Sequence, residues 1–168
     1  MHWIAISGSW RRTNAAVEQD VRQSVRDIMA LMDGIITGGA LGADYFATDE
    51  AMLIDAHAER IRVHLPTPLP IYAAHLYARA NEGAITHSQA EEVIAQLTEL
   101  QRRNKSALIE HQEKVIDKKS YFDRNTDIVN AADALYAFQV NNSEGVQDTI
   151  TKAQQKGIPV HIHTYTIQ

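Results

Sequence analysis

Short apolar runs alternate along this chain with longer segments whose apolar residues recur every three or four positions. The first run, Trp3-Ile4-Ala5-Ile6, reads as a buried strand over residues 2–7. Ser7-Gly8-Ser9 follows. A helical stretch then runs from Ala15 to Leu31, with Val17, Val21, Val25, Ile28 and Leu31 on one stripe and Thr13 or Asn14 placed to cap it. Gly34 to Thr37 reads as a second strand, leading through a glycine-rich turn into a helix over 44–58. Ile61 to Leu65 reads as a third, ended by Pro66, Pro68 and Pro70, which cannot extend a ladder. The same rhythm returns after Tyr121. A helix is predicted over Tyr121 to Ala131, a strand over Ala134 to Phe138, a helix over Gly145 to Gln155 that Gly157 stops, and a last strand from Pro159 to His163.

Strands alternating with helices predict an α/β protein, a three-layer Rossmann-like sandwich around a parallel sheet of about five strands in the order 3-2-1-4-5. Residues 71–118 break the rhythm. Tyr72 to Ala80 has a helical pattern, Asn81-Glu82-Gly83 reads as a turn, and Ser88 with Glu91 three positions on resembles a capping box. A polar helix then runs toward Lys114. The stretch at about 85–118 is read as a helical insertion within a single domain spanning 1–168. A solvated helix packed on one edge is the plain reading; a lid or a dimer contact are the alternatives.

Composition narrows the function. The 168 residues carry a net charge of −5, which argues against a protein that coats nucleic acid through clustered Lys and Arg. Absence of cysteine excludes disulfides, thiolate metal sites and cysteine nucleophiles. No apolar run approaches the ~18 residues of a membrane span, and no signal peptide is visible. A cytoplasmic protein without membrane partners is expected.

Three strand–loop–helix junctions carry the candidate chemistry. Gly38, Gly39 and Gly42 form the strongest group: a glycine turn at a helix N-terminus brings backbone N–H groups and about half a positive charge up to an anion. Asp44, in the first helical turn, either holds a ribose hydroxyl or caps the helix. Ser7, Gly8 and Ser9 offer amides and hydroxyls, or form only a tight turn. Trp10, Arg11 and Arg12 could stack a base and pair a phosphate, against a solvated basic corner. Arg124 and Asn125 are read as ligand contacts, the alternative being an ion pair from Arg124 to Asp123 or Asp127 and a helix cap by Asn125. Asn142, Ser143 and Gly145 form a second anion cradle, in which Glu144 must point outward. His161 and His163 share one face of the last strand at a spacing that could hold zinc with a third ligand, but no matching cluster accompanies them, so no metal site is expected.

These junctions resemble the SLOG superfamily of Rossmann-like proteins, in particular its small YspA-type branch. The matching pieces are Gly8-Ser9, Gly39-Ala40-x-Gly42-Ala43-Asp44, Arg124-Asn125, Ala132-Asp133-Ala134-Leu135-Tyr136-Ala137-Phe138, Ser143-x-Gly145 and Gly157-Ile158-Pro159-Val160. The resemblance implies a pocket for a nucleotide or nucleotide-derived ligand, with no required cofactor. The related LOG-type phosphoribohydrolases carry Gly-Gly-x-Gly-Thr-x-x-Glu and an upstream arginine. On this chain that motif falls on Asn142 to Thr149, where the first two glycines, the threonine and the glutamate are all replaced. Asp148 is acidic but one position early, about 100° round a helix. Arg124 and Asp148 are the weak catalytic candidates that remain. The DNA-processing protein A family shares the core, but its DNA binding requires a basic surface. The expectation is a sensor or ligand-binding protein for a phosphate-bearing nucleotide, forming a homo-oligomer. A nucleotide hydrolase acting on an N-glycosidic or phosphoester bond, with Asp148, Glu144 or Asp44 as acid or base, is the alternative. An assembly module with a vestigial pocket is the third.

Overall fold

A computed structural model describes all residues from Met1 to Gln168. Six strands form one parallel sheet: β1 (Trp3–Gly8), β2 (Gly34–Thr37), β3 (Ile61–Leu65), β4 (Leu108–Glu110), β5 (Ala134–Val140) and β6 (Val160–Tyr165), in the order β4-β3-β2-β1-β5-β6. This corrects the expected five strands in the order 3-2-1-4-5. The added strand, β4, pairs with β3 at one edge through Val63–Leu108, His64–Ile109 and Leu65–Glu110. It lies inside the segment read as a purely helical insertion. Three residues are too few to show an alternating pattern, so periodicity had nothing to detect.

Helices α1 (Ala15–Ala30), α2 (Ala43–Ile54), α3 (Leu69–Asn81) and α4 (His87–Arg103) lie on one side; α5 (Lys118–Ala131) and α6 (Glu144–Lys156) lie on the other. The strands alternate between two apolar clusters, as a sheet buried on both faces requires. Ile4, Ile6, Ile35 and Phe138 join the α1–α4 side, while Ala5, Ile36, Leu135 and Ala137 join the α5–α6 side.

Local signals explain most helix starts. Asn14 caps α1 by accepting from Val17 N at 3.0 Å. The capping box of α4 is Thr86 with Gln89, two residues before the predicted Ser88, and the helix ends at Arg103 instead of running on toward Lys114. The proline cluster both ends β3 and begins α3: Pro68 is its N-cap and Pro70 sits in its first turn, where a missing N–H costs nothing. Helix α5 begins earlier than predicted, at Lys118, because Asp117 and Ser120 cap it reciprocally. Arg124 and Asn125 therefore sit mid-helix, and Asn125 does not cap it.

Candidate functional site

In a parallel sheet with right-handed crossovers the strand ends and the following helix N-termini meet along one edge. Here a cavity of about 540 Å³ opens along that edge. All three predicted junctions reach it: Ser7 and Gly8 from β1, Gly38, Ala40 and Asp44 from the β2–α2 junction, and Ser143 and Gly145 at the start of α6. Arg124 and Asn125 line it from α5, and Trp10 and Arg11 stand on its rim, with the Arg11 guanidinium 5.1 Å from the Trp10 ring centroid. Arg12 instead points to the carbonyl of Ile167.

Four further ligand-binding candidates lie outside the lining, and each has a structural reason. Ser9 stitches the sheet edge: its Oγ accepts from Val140 N at 3.1 Å and its carbonyl accepts from Ala43 N at 3.3 Å. Gly39 has φ +68 and packs on Leu65 and Val63, while its carbonyl accepts from the Tyr72 hydroxyl at 3.0 Å. Gly42 has φ +74 and lies against the Ser9 carbonyl, which leaves no room for a Cβ. Asn142 is exposed in the turn that leads into α6.

Asp44 does not cap its own helix, whose N-cap is Gly42. Its Oδ2 accepts from Gly38 N at 3.0 Å and from Ala40 N at 3.3 Å, so the carboxylate clamps the glycine turn that precedes its own helix. Burial pushes the Asp44 carboxyl up; the Arg124 charge and the two amides oppose that. Of the three glycine amides nominated for a phosphate, that of Gly38 is thus already engaged.

Arg124 is the unusual group. It is 9% exposed, donates from Nη1 to Gly38 O at 2.6 Å and from Nη2 to Asn125 Oδ1 at 3.2 Å, and its Nε is buried without an acceptor. The two carboxylates next to it in sequence are committed elsewhere: Asp123 to Lys119 at 2.6 Å, Asp127 to His111 at 3.3 Å. A Cβ on Gly38 would sit 2.7 Å from the Arg124 Cζ and 2.9 Å from Asp44 Oδ2, so glycine is what lets these two groups approach. Tyr121 carries the guanidinium over its ring at 5.2 Å.

Sequence reading missed the far wall. Tyr72, His75 and Arg79 project from α3, joined by Ile85 and Ile116 from the ends of the insertion. His75 Nε2 lies 3.5 Å from the Tyr121 hydroxyl, and burial holds its imidazole below the usual range. A helix that follows a proline-marked strand end must cross the edge of the sheet, which is the signal that could have nominated this wall. Glu144 also lines the cavity, where its carboxylate is paired with Lys118 Nζ at 2.7 Å. Asp148 is held by Lys152 at 2.8 Å and Asn125 at 3.3 Å, and it is not part of the lining. Thr149, at the position of the LOG-type glutamate, lines the cavity and donates its hydroxyl to Gly145 O at 3.2 Å. On β6, outside the lining, the His161 ring lies tilted against Tyr136 at 4.6 Å and the His163 ring stacks on Phe138 at 4.8 Å.

No protein-family model matches the chain, and no curated protein matches its sequence. Solved structures do. DNA processing protein A from Helicobacter pylori, described for its single-stranded DNA binding mode, matches with a TM-score of 0.68 at 18% identity over 96% of this chain. The chain spans 64% of that protein's length. The molybdenum cofactor binding protein of the phototrophic bacterium Rippkaea orientalis matches with a TM-score of 0.61 at 16% identity, covering 98% of this chain and 77% of that one. The protein TM1055 matches at 0.54 and 13%, covering 95% and 72%. The chain therefore has the Rossmann-like α/β fold of these proteins. No helix is long and apolar enough to cross a membrane.

Proposed function

We propose that this protein binds a nucleotide or nucleotide-derived phosphate ligand at the carboxyl edge of its sheet and acts as a ligand-binding or sensor protein. In this reading it is a SLOG-type protein of the YspA-like branch, one domain long. The observation that carries the reading is Arg124: a buried cation on a cavity wall, with an unpartnered Nε and no carboxylate at ion-pair distance. A buried guanidinium without a carboxylate in direct contact is unfavourable, and an anion seated beside it would relieve that cost. Trp10 and Tyr121 offer rings for a base; the uncapped start of α6 offers amides for phosphate oxygens.

Isothermal titration against AMP, ADP, ATP, ADP-ribose, cyclic dinucleotides and single-stranded DNA tests this. Micromolar binding of a small nucleotide, lost by at least tenfold in Arg124→Lys, is the expected result. Arg124→Lys binding as tightly as the unaltered protein, or binding of DNA alone, would overturn it. The hydrolase reading now leans on Asp44, the one buried carboxyl on the cavity wall, whose raised pKa suits an acid or base. Release of free base from a bound nucleotide, abolished in Asp44→Asn, would establish it.

A further inference from the structure

The two edges of the sheet differ. Strand β4 ends one side with three residues, the last of them Glu110. Strand β6 ends the other with six, Val160 to Tyr165, and has no Asp, Glu, Lys or Arg among them. Short edge strands and charged side chains are devices that keep a sheet edge from pairing with another chain. Strand β6 has neither.

The register fixes which backbone groups face out. Leu135 N donates to Pro159 O at 2.9 Å at one end of the β5–β6 ladder, and Asn141 N donates to Tyr165 O at 3.0 Å at the other. Along a strand, alternate residues turn both N–H and C=O to the same side. Pro159, His161, His163 and Tyr165 therefore face β5, while Val160, Ile162 and Thr164 face away from it. No strand lies beyond β6, so three N–H and three C=O groups stand along an open edge. No loop or side chain bonds to them.

The side chains leave an apolar spot there as well. His161, His163 and Tyr165 are held on the α1 side, by the rings of Tyr136 and Phe138 and by Asp20, whose carboxylate accepts from the Tyr165 hydroxyl at 2.7 Å. Ile162 pairs with Ala137 and shares its face on the α6 side, yet it is 45% exposed. Helix α6 packs chiefly over β5 and leaves this outer isoleucine bare.

This edge is complementary to itself. In an antiparallel pair, opposite residues that point their backbone groups at each other exchange two hydrogen bonds. A two-fold axis at Ile162 sets it against the partner's Ile162, and sets Val160 against the partner's Thr164. All three N–H and three C=O groups of each copy are then used. An axis at His161 or His163 leaves one outward residue with no partner on the strand. The partner strand is already extended and held by its own β5, so it loses little backbone freedom on pairing, unlike a free peptide. The two bare Ile162 side chains cover one another.

We propose that β6 pairs antiparallel with β6 of a second copy of this chain, about a two-fold axis at Ile162, making one continuous sheet across the dimer. No residue of β6 lines the cavity, so the dimer and the ligand reading stand or fall separately.

Sedimentation equilibrium at about 200 μM should give twice the 18.8 kDa of the chain. Ile162→Lys places two ammonium groups on the axis, at an exposed position. It should weaken association at least about tenfold and leave the circular dichroism spectrum unchanged. Amide exchange reads the edge directly: the Val160, Ile162 and Thr164 N–H groups should slow with rising concentration, while those of His161 and His163 should be slow throughout. The chain has no cysteine, so single replacements report the register. Opposite Cα atoms in a hydrogen-bonded pair lie about 5.5 Å apart, so Ile162→Cys should oxidise to a covalent dimer. In Thr164→Cys the two thiols are offset by about 13 Å along the paired strands and should not cross-link. Should Ile162→Lys fail to fold, exchange and cross-linking decide. A chain that stays monomeric at about 1 mM overturns the pairing. So does an Ile162→Lys variant that associates as the unaltered protein does, an edge whose exchange ignores concentration, or Thr164→Cys cross-linking as fast as Ile162→Cys.

Discussion

Between β2 and α2, the amides of Gly38 and Ala40 converge on one oxygen of Asp44, and Gly39 and Gly42 take left-handed backbone to press against β3 and the Ser9 carbonyl. Between β5 and α6, Ser143 supplies no side-chain cap, Gly145 has open space around it, and Glu144 is paired with Lys118. The glycine-rich turn spends two of its amides on a carboxylate; the plainer one has no side chain on its first amides. Glycine count therefore reports how closely a backbone must pass its neighbours. Readiness for an anion is reported by which donors remain unpaired, and that points to Arg124 and the start of α6.

Substitutions can break this contrast. The largest effect is expected at Gly42→Ala, which combines an unfavourable φ with collision against backbone: a loss of about 2–4 kcal/mol in urea unfolding. A loss under about 1 kcal/mol would mean that the turn is looser than its geometry. Asp44→Ala should cost about 2–3 kcal/mol, since it frees two buried amides; a neutral result would show that water replaces the carboxylate. Arg124→Met should cost about 1–2 kcal/mol, because it leaves the buried Asp44 carboxyl without the neighbouring charge and the Gly38 carbonyl without its donor. The same variant should lose all thermal stabilisation by AMP. Gly145→Ala should be the mildest, gaining about 0.5–1 kcal/mol from helix propensity where nothing obstructs a methyl group.

Acid sharpens the comparison on the other side of Arg124. Burial, with His111 and the nearby arginines, holds His64 down to about 4. Its folded pKa is below the unfolded value of about 6.5, so the unfolded chain takes up the proton first. Stability should fall as pH drops from about 6.5 to 4 and level off below. His64→Gln should flatten that part of the profile; an unchanged slope would place the titration elsewhere.

Much of the architecture was legible in the residues. The strands β1, β2, β3, β5 and β6, the stripe on α1 from Val17 to Ile28 and the Gly157 stop read correctly, because each depends on near neighbours in the chain; Leu31, read as the end of that stripe, is the exposed C-cap. Strand β4 did not, being too short for a pattern. Nor did the true caps at Thr86 and Asp117, which compete with equally plausible residues nearby. Of the site, the three junctions at the strand ends could be seen. The α3 wall could not, nor could the withdrawal of Ser9, Gly39, Gly42 and Asn142 from the lining.

By itself, the chain of residues determined where strands and helices form and which loops gather at the carboxyl edge, since periodicity and right-handed crossovers leave few other arrangements. Only tertiary structure decided which polar groups there are spent and which are spare. A hydrogen bond has one donor and one acceptor, and positions 44, 64, 111, 124 and 127 are drawn together by packing between elements distant along the chain. Partnership is then allotted by distance and angle in three dimensions, which no local pattern encodes.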